Sequence, residues 1–142
     1  MKIIEGGVTA AAGFEAAGVE AAIKYQNRKD MALIYSQAPC RTAGVFTGNV
    51  VKAASVLWDR EIVAHSPYAQ AVVVNAGIAN ACTGKQGYEC CRQTAEKAAE
   101  ALGVPLDAVL VASTGVIGWQ IPVEKIAAGV DRLVQTKAHT PE

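Results

Sequence analysis

Three nearly continuous apolar segments constrain the fold of this chain most strongly. They span residues 31–36, 71–76 and 109–114 and consist mostly of Val, Ile, Leu and Ala, without a polar residue at every second position. A strand with one face in water alternates apolar and polar residues, whereas a strand covered on both faces is apolar throughout. We therefore expect buried strands with helices above and below the sheet. A shorter segment at 44–47 is predicted as a fourth strand.

Helical periodicity marks two further segments clearly and a third less so. In 88–102, small or apolar residues recur every three to four positions, and Gly103 is placed to cap the helix end. A second helix is predicted to start at Pro122, because proline suits a first helical turn. A third is predicted over 50–62, where three valines disfavour it.

The residues before position 26 are rich in alanine but interrupted by Gly13 and Gly18, which favours two short strands or a loop over a helix. No repeat, linker or change of composition divides the chain. The fold class predicted is therefore α/β, a layered sandwich of mostly buried strands covered by helices, forming a single domain over residues 1–142.

The charge balance excludes some classes of partner and favours others. The chain has 142 residues with 13 basic and 13 acidic side chains, so nucleic acid is not expected as a partner. Only 18% of the residues are charged and 27 are alanine, which leaves little to keep the surface monomeric, and a protein partner is expected. The first seven residues do not form a targeting signal and no apolar stretch is long enough to cross a membrane, which predicts a cytoplasmic protein.

Neither the cysteines nor the histidines have the spacing of a metal or redox site. These residues are Cys40, Cys82, Cys90, Cys91, His65 and His139. Cys90 and Cys91 are expected to be structural, and the two histidines to lie on the surface. A nucleophile such as Ser113 or Cys82 has only these histidines as a base, and neither lies in a recognisable triad motif.

The strongest candidate for chemistry is the turn that follows the strand at 109–114. Thr114 offers a hydroxyl, and the backbone N–H of Gly115 has no Cβ beside it to block a ligand. Two such donors could stabilise an oxyanion, although the same residues also suit an ordinary turn.

Two other loops offer weaker candidates. The segment 75–84 follows a strand and contains Asn75 and Asn80, but it lacks the glycine pattern of dinucleotide sites and the Gly-Lys ending of a phosphate loop. Its asparagines are expected to cap the loop or the next helix. The segment 47–49 with Lys52 combines a hydroxyl, a turn and a cation, and is also expected to be structural.

Four segments taken together resemble the glutamate N-acetyltransferase family, also called ornithine acetyltransferase. They are GVTAAAGF (7–14), AGVFTGN (43–49), VVVNAGIANACTG (72–84) and VASTGVIG (111–118). The similarity extends over nearly the whole chain, and the four motifs in order are far more specific than any one of them.

The resemblance implies a precursor that cleaves itself into an α and a β chain, with this chain as the α portion and an α2β2 assembly. The threonine at the start of the β chain takes acetyl from N-acetylornithine, releases ornithine and passes the acetyl group to glutamate. Thr114 and Gly115 supply the oxyanion hole. No cofactor or metal is implied, and acetyl-coenzyme A is an alternative donor in some members.

The sequence also departs from the family. In the family, the α chain continues past the helix matching 122–134 to a threonine-rich substrate-binding stretch and the cleavage threonine. Neither is present here, so we expect a trimmed or partial α chain, or a variant cleaved earlier. Thr140 is a poor nucleophile because Pro141 follows it. Ile78, Trp119 and Gln120 differ at loop positions and are expected to affect substrate choice rather than fold.

Two alternative functions stay open. One is a subunit of a related self-cleaving amidohydrolase or aminopeptidase, which would pass the acyl group to water. The other is a scaffold or binding subunit without catalysis. The roles of Asn75, Asn80 and Lys52 are also open.

Overall fold

The computed structural model describes residues 6–140, so the predicted lack of a targeting signal rests partly on positions outside this range. This part of the chain forms four strands, three α-helices and two short 3-10 turns. In chain order they are a 3-10 turn (Val8–Ala10), β1 (Phe14–Val19), β2 (Met31–Arg41), α1 (Ala54–His65), β3 (Tyr68–Ile78), α2 (Gly84–Leu102), a 3-10 turn (Leu106–Ala108), β4 (Val109–Val116) and α3 (Val123–Thr136).

The strands form one mixed sheet in the spatial order β1-β2-β3-β4. β1, β2 and β3 pair antiparallel, and β4 pairs parallel to β3. Parallel neighbours need a crossover, and α2 supplies it by returning the chain from the end of β3 to the start of β4. The predicted α/β class is confirmed.

The three helices form a single layer on one face of the sheet, so the expectation of helices above and below was wrong. Alternate strand residues point into this layer and form the core with the helices. From the strands these are Met31, Leu33, Ala71, Val73, Val109 and Val111, and from the helices chiefly Trp58, Ile62, Cys91, Ala95, Ile126, Val130 and Leu133.

The opposite face of the sheet is apolar but only half buried. Ile34, Val72, Val74 and Leu110 all point to this side. Because both sets of strand residues are apolar, the sequence resembles that of strands buried on both faces. Residues 6–140 leave this second face without a covering layer.

Side chains of α1 close the first part of the outer edge of β4. The indole Nε1 of Trp58 donates to the carbonyl oxygen of Val109 at 3.0 Å, and the N–H of Val111 donates to Oδ1 of Asp59 at 2.9 Å. Backbone groups that would otherwise be left unpaired at a sheet edge are therefore satisfied by a helix.

The strand predicted at 44–47 is absent, whereas the other three strands are present and longer than predicted. β2 already runs to Arg41, where Thr42 N–H donates to the carbonyl oxygen of Pro67, and the chain then leaves the sheet. β1 flanks β2 only from Met31 to Ser36, and the segment 44–47 pairs neither with the rest of β2 nor with another strand. Val45 is fully exposed instead of packed.

The helices predicted from periodicity are confirmed, with shifted ends. α2 starts one turn earlier than predicted and ends at Leu102, where Gly103 caps it in the left-handed conformation at φ +68°. α3 follows Pro122 as expected, whereas α1 starts only at Ala54, after the valines that disfavour helix. The N-terminal region forms one strand, β1, rather than two. Within the described residues no helix is long and apolar enough to span a membrane.

Candidate active site

The candidate site lies where the parallel strands β3 and β4 end side by side. The register pairs Asn75 with Ser113, Ala76 with Thr114 and Gly77 with Gly115. Two loops separated by more than thirty positions in sequence therefore meet at one edge of the sheet, the usual location of sites in sheets with parallel strands. The structure thus joins two of the three loops that the sequence singled out.

Gly115 occupies a position that only glycine can fill. Its φ of +131° lies outside the range of ordinary residues, and a Cβ there would lie 2.2 Å from the carbonyl carbon of Gly77. Gly77 itself has a φ of +110°. The two glycines allow the backbones of the two loops to approach more closely than side chains would permit.

The alternation of backbone groups along β4 predicts that the N–H of Gly115 faces the outer edge of the strand. In a parallel pair, alternate residues direct both backbone groups to the same side. Val109 and Val111 direct theirs outward to α1, whereas the carbonyl of Val116 faces inward and accepts from Ala79 N–H at 2.9 Å. This alternation assigns the N–H of Gly115 to the outward set.

Thr114 is exposed, and its side chain lies on the sheet face that the helices leave uncovered. No partner for its hydroxyl is found within the described range. A hydroxyl and a backbone N–H thus stand next to each other at an accessible corner of the sheet, both able to donate.

Asn75 and Asn80 both lie in the interior. Asn75 accepts a hydrogen bond from Ser113 Oγ at 2.6 Å and donates one to the carbonyl oxygen of Ile78 at 2.9 Å. Asn80 accepts from the Thr83 hydroxyl and donates to the carbonyl oxygen of Gly87, both at 2.8 Å. Asn80 therefore has the expected structural role, because it ties the loop to the first turn of α2.

A basic and aromatic cluster next to the two glycines was missed by sequence reasoning. A Cβ on Gly77 would lie 3.0 Å from the Cβ of Lys24, and Lys24 Nζ lies 5.5 Å from the ring centroid of Trp119 and 4.7 Å from that of Tyr25. Lys24 and Tyr25 are adjacent, but Gly77 and Trp119 are distant from them in sequence and meet them only through the fold, so no local pattern could have indicated the cluster.

The loop that carries Lys24 is held in place by charged side chains. Both carboxylate oxygens of buried Asp30 accept backbone N–H groups, from Ala21 at 2.6 Å and Ile23 at 2.7 Å. From α3, Lys125 donates to the carbonyl oxygen of Ala22 at 2.6 Å and Arg132 to that of Glu20 at 2.7 Å. The loop is therefore anchored from both sides.

The third candidate, 47–49 with Lys52, forms local turn contacts. Asn49 N–H donates to the Thr47 hydroxyl at 3.2 Å, and Lys52 Nζ donates to the carbonyl oxygen of Asn49. Lys52 also lines an open cavity of about 320 Å³ together with Cys82. The contacts agree with the structural role expected from the sequence.

The remaining reactive side chains do not form a nucleophile and base pair in this part of the structure. Burial raises the pKa of Cys91 to about 12 and also raises that of Cys90, so both thiols stay protonated, as expected for structural cysteines. His65 and His139 are exposed, and their Nδ1 atoms hydrogen-bond to the carbonyl oxygens of Glu61 and Phe14. In residues 6–140, no three His, Cys, Asp or Glu side chains are grouped to hold a metal.

Comparison with known proteins identifies the family. The model of the ArgJ family matches residues 15–141. The chain belongs to the ArgJ family. It is 50% identical over 130 residues to the arginine biosynthesis bifunctional protein ArgJ of Thermotoga neapolitana, covering 91% of this chain and 32% of that protein. The ArgJ protein of Gloeobacter violaceus is also 50% identical, over 96% of this chain and 34% of its own length. The chain thus spans about a third of the length of these relatives.

Solved structures of ArgJ proteins share this fold. Ornithine acetyltransferase of Mycobacterium tuberculosis, crystallised in complex with ornithine, matches with a TM-score of 0.92 and 43% identity over 96% of this chain and 73% of that one. The ArgJ protein of Bacillus halodurans matches with a TM-score of 0.91 and 39% identity over 96% and 70%. The resemblance derived from the four sequence motifs is confirmed.

Proposed function

We propose that residues 1–142 form a single domain, the α-chain portion of an acetyltransferase in arginine biosynthesis. The complete enzyme moves acetyl from N-acetylornithine to glutamate through an acetyl-threonine on a β chain, and Thr114 and Gly115 supply the oxyanion hole. The observation that carries the proposal is the pair of donors at the end of β4. The exposed Thr114 hydroxyl adjoins the outward N–H of Gly115, at a glycine that the close approach of Gly77 makes necessary.

These donors suit acyl transfer because charge develops on the carbonyl oxygen during the reaction. The hydroxyl oxygen of the β-chain threonine attacks the acetyl carbonyl carbon, and its proton passes to the α-amino group of the same threonine. The carbonyl oxygen becomes negative and accepts hydrogen bonds from Thr114 and Gly115. The C–N bond then breaks, ornithine leaves with the proton, and an acetyl ester remains.

The second half of the reaction uses the same donors. The amino group of glutamate attacks the ester carbonyl, a second oxyanion forms in the same position, and the threonine hydroxyl is released with its proton. N-acetylglutamate is the product. The Mycobacterium tuberculosis relative was crystallised with ornithine, the product of the first half, which supports this choice of substrate.

The half-covered face of the sheet supports a partner chain. Ile34, Val72, Val74 and Leu110 present an apolar surface on the side to which Thr114 also points. A β chain packed there would bury this surface and bring its threonine next to the donors. The relatives are about three times as long as this chain, which leaves ample sequence for such a partner.

The test is Thr114→Ala in the complete protein with both chains present. Loss of one oxyanion donor lowers kcat by about 10²–10³. Thr136→Ala is the matched control, because Thr136 is an exposed threonine on α3 whose hydroxyl contacts only the carbonyl oxygen of Arg132. A kcat for Thr114→Ala equal to that of the control contradicts the oxyanion role.

The acyl acceptor is tested separately by incubating the complete protein with N-acetylornithine, with and without glutamate. Transfer predicts N-acetylglutamate and little acetate. Acetate released at the same rate without glutamate would instead indicate an amidohydrolase. No turnover of any kind by the complete protein would leave a scaffold role.

A further inference from the structure

The side chain of Asn75 connects the two loops that form the candidate site. It is 4% exposed, and both of its functional atoms are used. Its Oδ1 accepts from the Ser113 hydroxyl at 2.6 Å, and its Nδ2 donates to the carbonyl oxygen of Ile78 at 2.9 Å. One amide group therefore holds the end of β4 and the end of β3 at the same time.

The two residues that Asn75 contacts are direct chain neighbours of residues in the candidate site. Ser113 directly precedes Thr114 in β4. Ile78 directly follows Gly77, whose carbonyl carbon lies 2.2 Å from where a Cβ of residue 115 would stand. A shift of either anchor would move Thr114 or Gly115 relative to a bound acyl group.

We infer that Asn75 is a positioning residue for acyl transfer. It holds the Thr114 hydroxyl and the Gly115 N–H at the spacing that the oxyanion requires, and this role rests on the proposed oxyanion function. An amide is needed because the two contacts require an acceptor and a donor on the same short side chain. Misplacement of a catalytic group by about 1 Å costs on the order of 10²-fold in rate.

Asn75→Asp in the complete protein tests the role directly. The carboxylate keeps an acceptor for Ser113 but replaces the donor to Ile78 with a second oxygen. We expect kcat to fall roughly 10- to 100-fold while KM for N-acetylornithine changes by less than about threefold, because the donors act mainly in the transition state.

Thr94→Val is the matched control for loss of a buried hydrogen bond. The Thr94 hydroxyl is buried in α2 and donates to the carbonyl oxygen of Cys90 at 2.9 Å, away from the ends of β3 and β4. Its kcat should stay within about twofold of wild type even where the urea midpoint falls, since lost stability alone does not move the donors. A kcat for folded, processed Asn75→Asp equal to that of Thr94→Val overturns the inference.

Ser113→Ala provides a second variant that removes only one of the two contacts and keeps the fold under less strain. Its kcat should fall about 3- to 10-fold, so the inference stays testable even if Asn75→Asp does not fold. A Ser113→Ala enzyme with wild-type kcat counts against the role.

A double variant separates positioning from general damage. If Asn75 acts through the donors, the kcat loss in Asn75→Asp with Thr114→Ala falls short of the product of the two single losses. A fully multiplicative loss overturns the inference. A large loss in Thr114→Ala with none in Asn75→Asp refutes only the positioning role, whereas wild-type kcat in Thr114→Ala refutes the proposed function itself.

Discussion

Replacing Asp59 with asparagine should make the protein more stable at neutral pH. Burial raises the pKa of Asp59 from its ordinary 3.8 to about 6, against the lowering effect of the Val111 N–H that it accepts. At 1.36 kcal/mol per pH unit, the full difference corresponds to roughly 3 kcal/mol. Asp59 retains some exposure, so solvent screening reduces the expected effect to about 1–2 kcal/mol.

The pH dependence follows from the direction of the pKa change. A carboxyl whose pKa is higher in the folded state stabilises the fold below pH 3.8, and that contribution is lost as the pH rises through about 6. Asparagine keeps the acceptor for Val111 and has no charge to bury. The free energy of unfolding of Asp59→Asn relative to that of wild type should therefore be about 1–2 kcal/mol larger at pH 8 than at pH 4.

Urea unfolding of the complete protein at a series of pH values, followed by fluorescence, measures this difference. Asp107→Asn is the control, because Asp107 is an exposed carboxylate in the 3-10 turn before β4. A difference between Asp59→Asn and wild type that stays constant with pH, or shrinks as the pH rises, refutes the explanation based on burial.

Two further predictions concern Gly115 and the buried cysteines. Gly115→Ala should lower the free energy of unfolding by about 1–3 kcal/mol through backbone strain, and it should lower kcat at least as much as Thr114→Ala does. Gly48→Ala is the control, because a Cβ at position 48 meets open space. Equal urea midpoints for Gly115→Ala and Gly48→Ala would contradict the steric argument. Burial raises the pKa values of Cys90 and Cys91, so both thiols should resist alkylation at neutral pH until urea unfolds the protein. Peptide mass spectrometry measures the labelling of each cysteine. Rapid labelling in the folded protein would argue against their burial.

The elements with regular patterns were predictable from sequence, and the errors have identifiable causes. The apolar stripe of α2 and the cap at Gly103 determine that helix locally. The segment 44–47 has strand-like residues, but a strand also needs a partner to pair with, and this segment pairs with none of the four strands. The sequence did not indicate that the helices cover only one face of the sheet, because Val72 and Val74 on the uncovered face are as apolar as Val73 in the core.

The candidate site was predictable only as far as its parts are local. Thr114 and Gly115 are adjacent, so their motif indicated two donors directly. The bond from Ser113 to Asn75 depends on the parallel register of β3 and β4, and the approach of Lys24 to Gly77 depends on the path of the loop between β1 and β2. Neither is encoded in any short stretch of sequence.

The contacts of Trp58 and Asp59 with β4 also determine what can approach the sheet edge. An open edge strand is a template on which another chain can add a strand, and this is a common route to aggregation. Because α1 occupies the edge as far as Val111, only the stretch from Ser113 to Val116 stays open, which is shorter than the typical strand of about five residues. The helix thus shortens the edge with which another chain could pair, and it leaves Gly115 on the part of the edge that stays exposed.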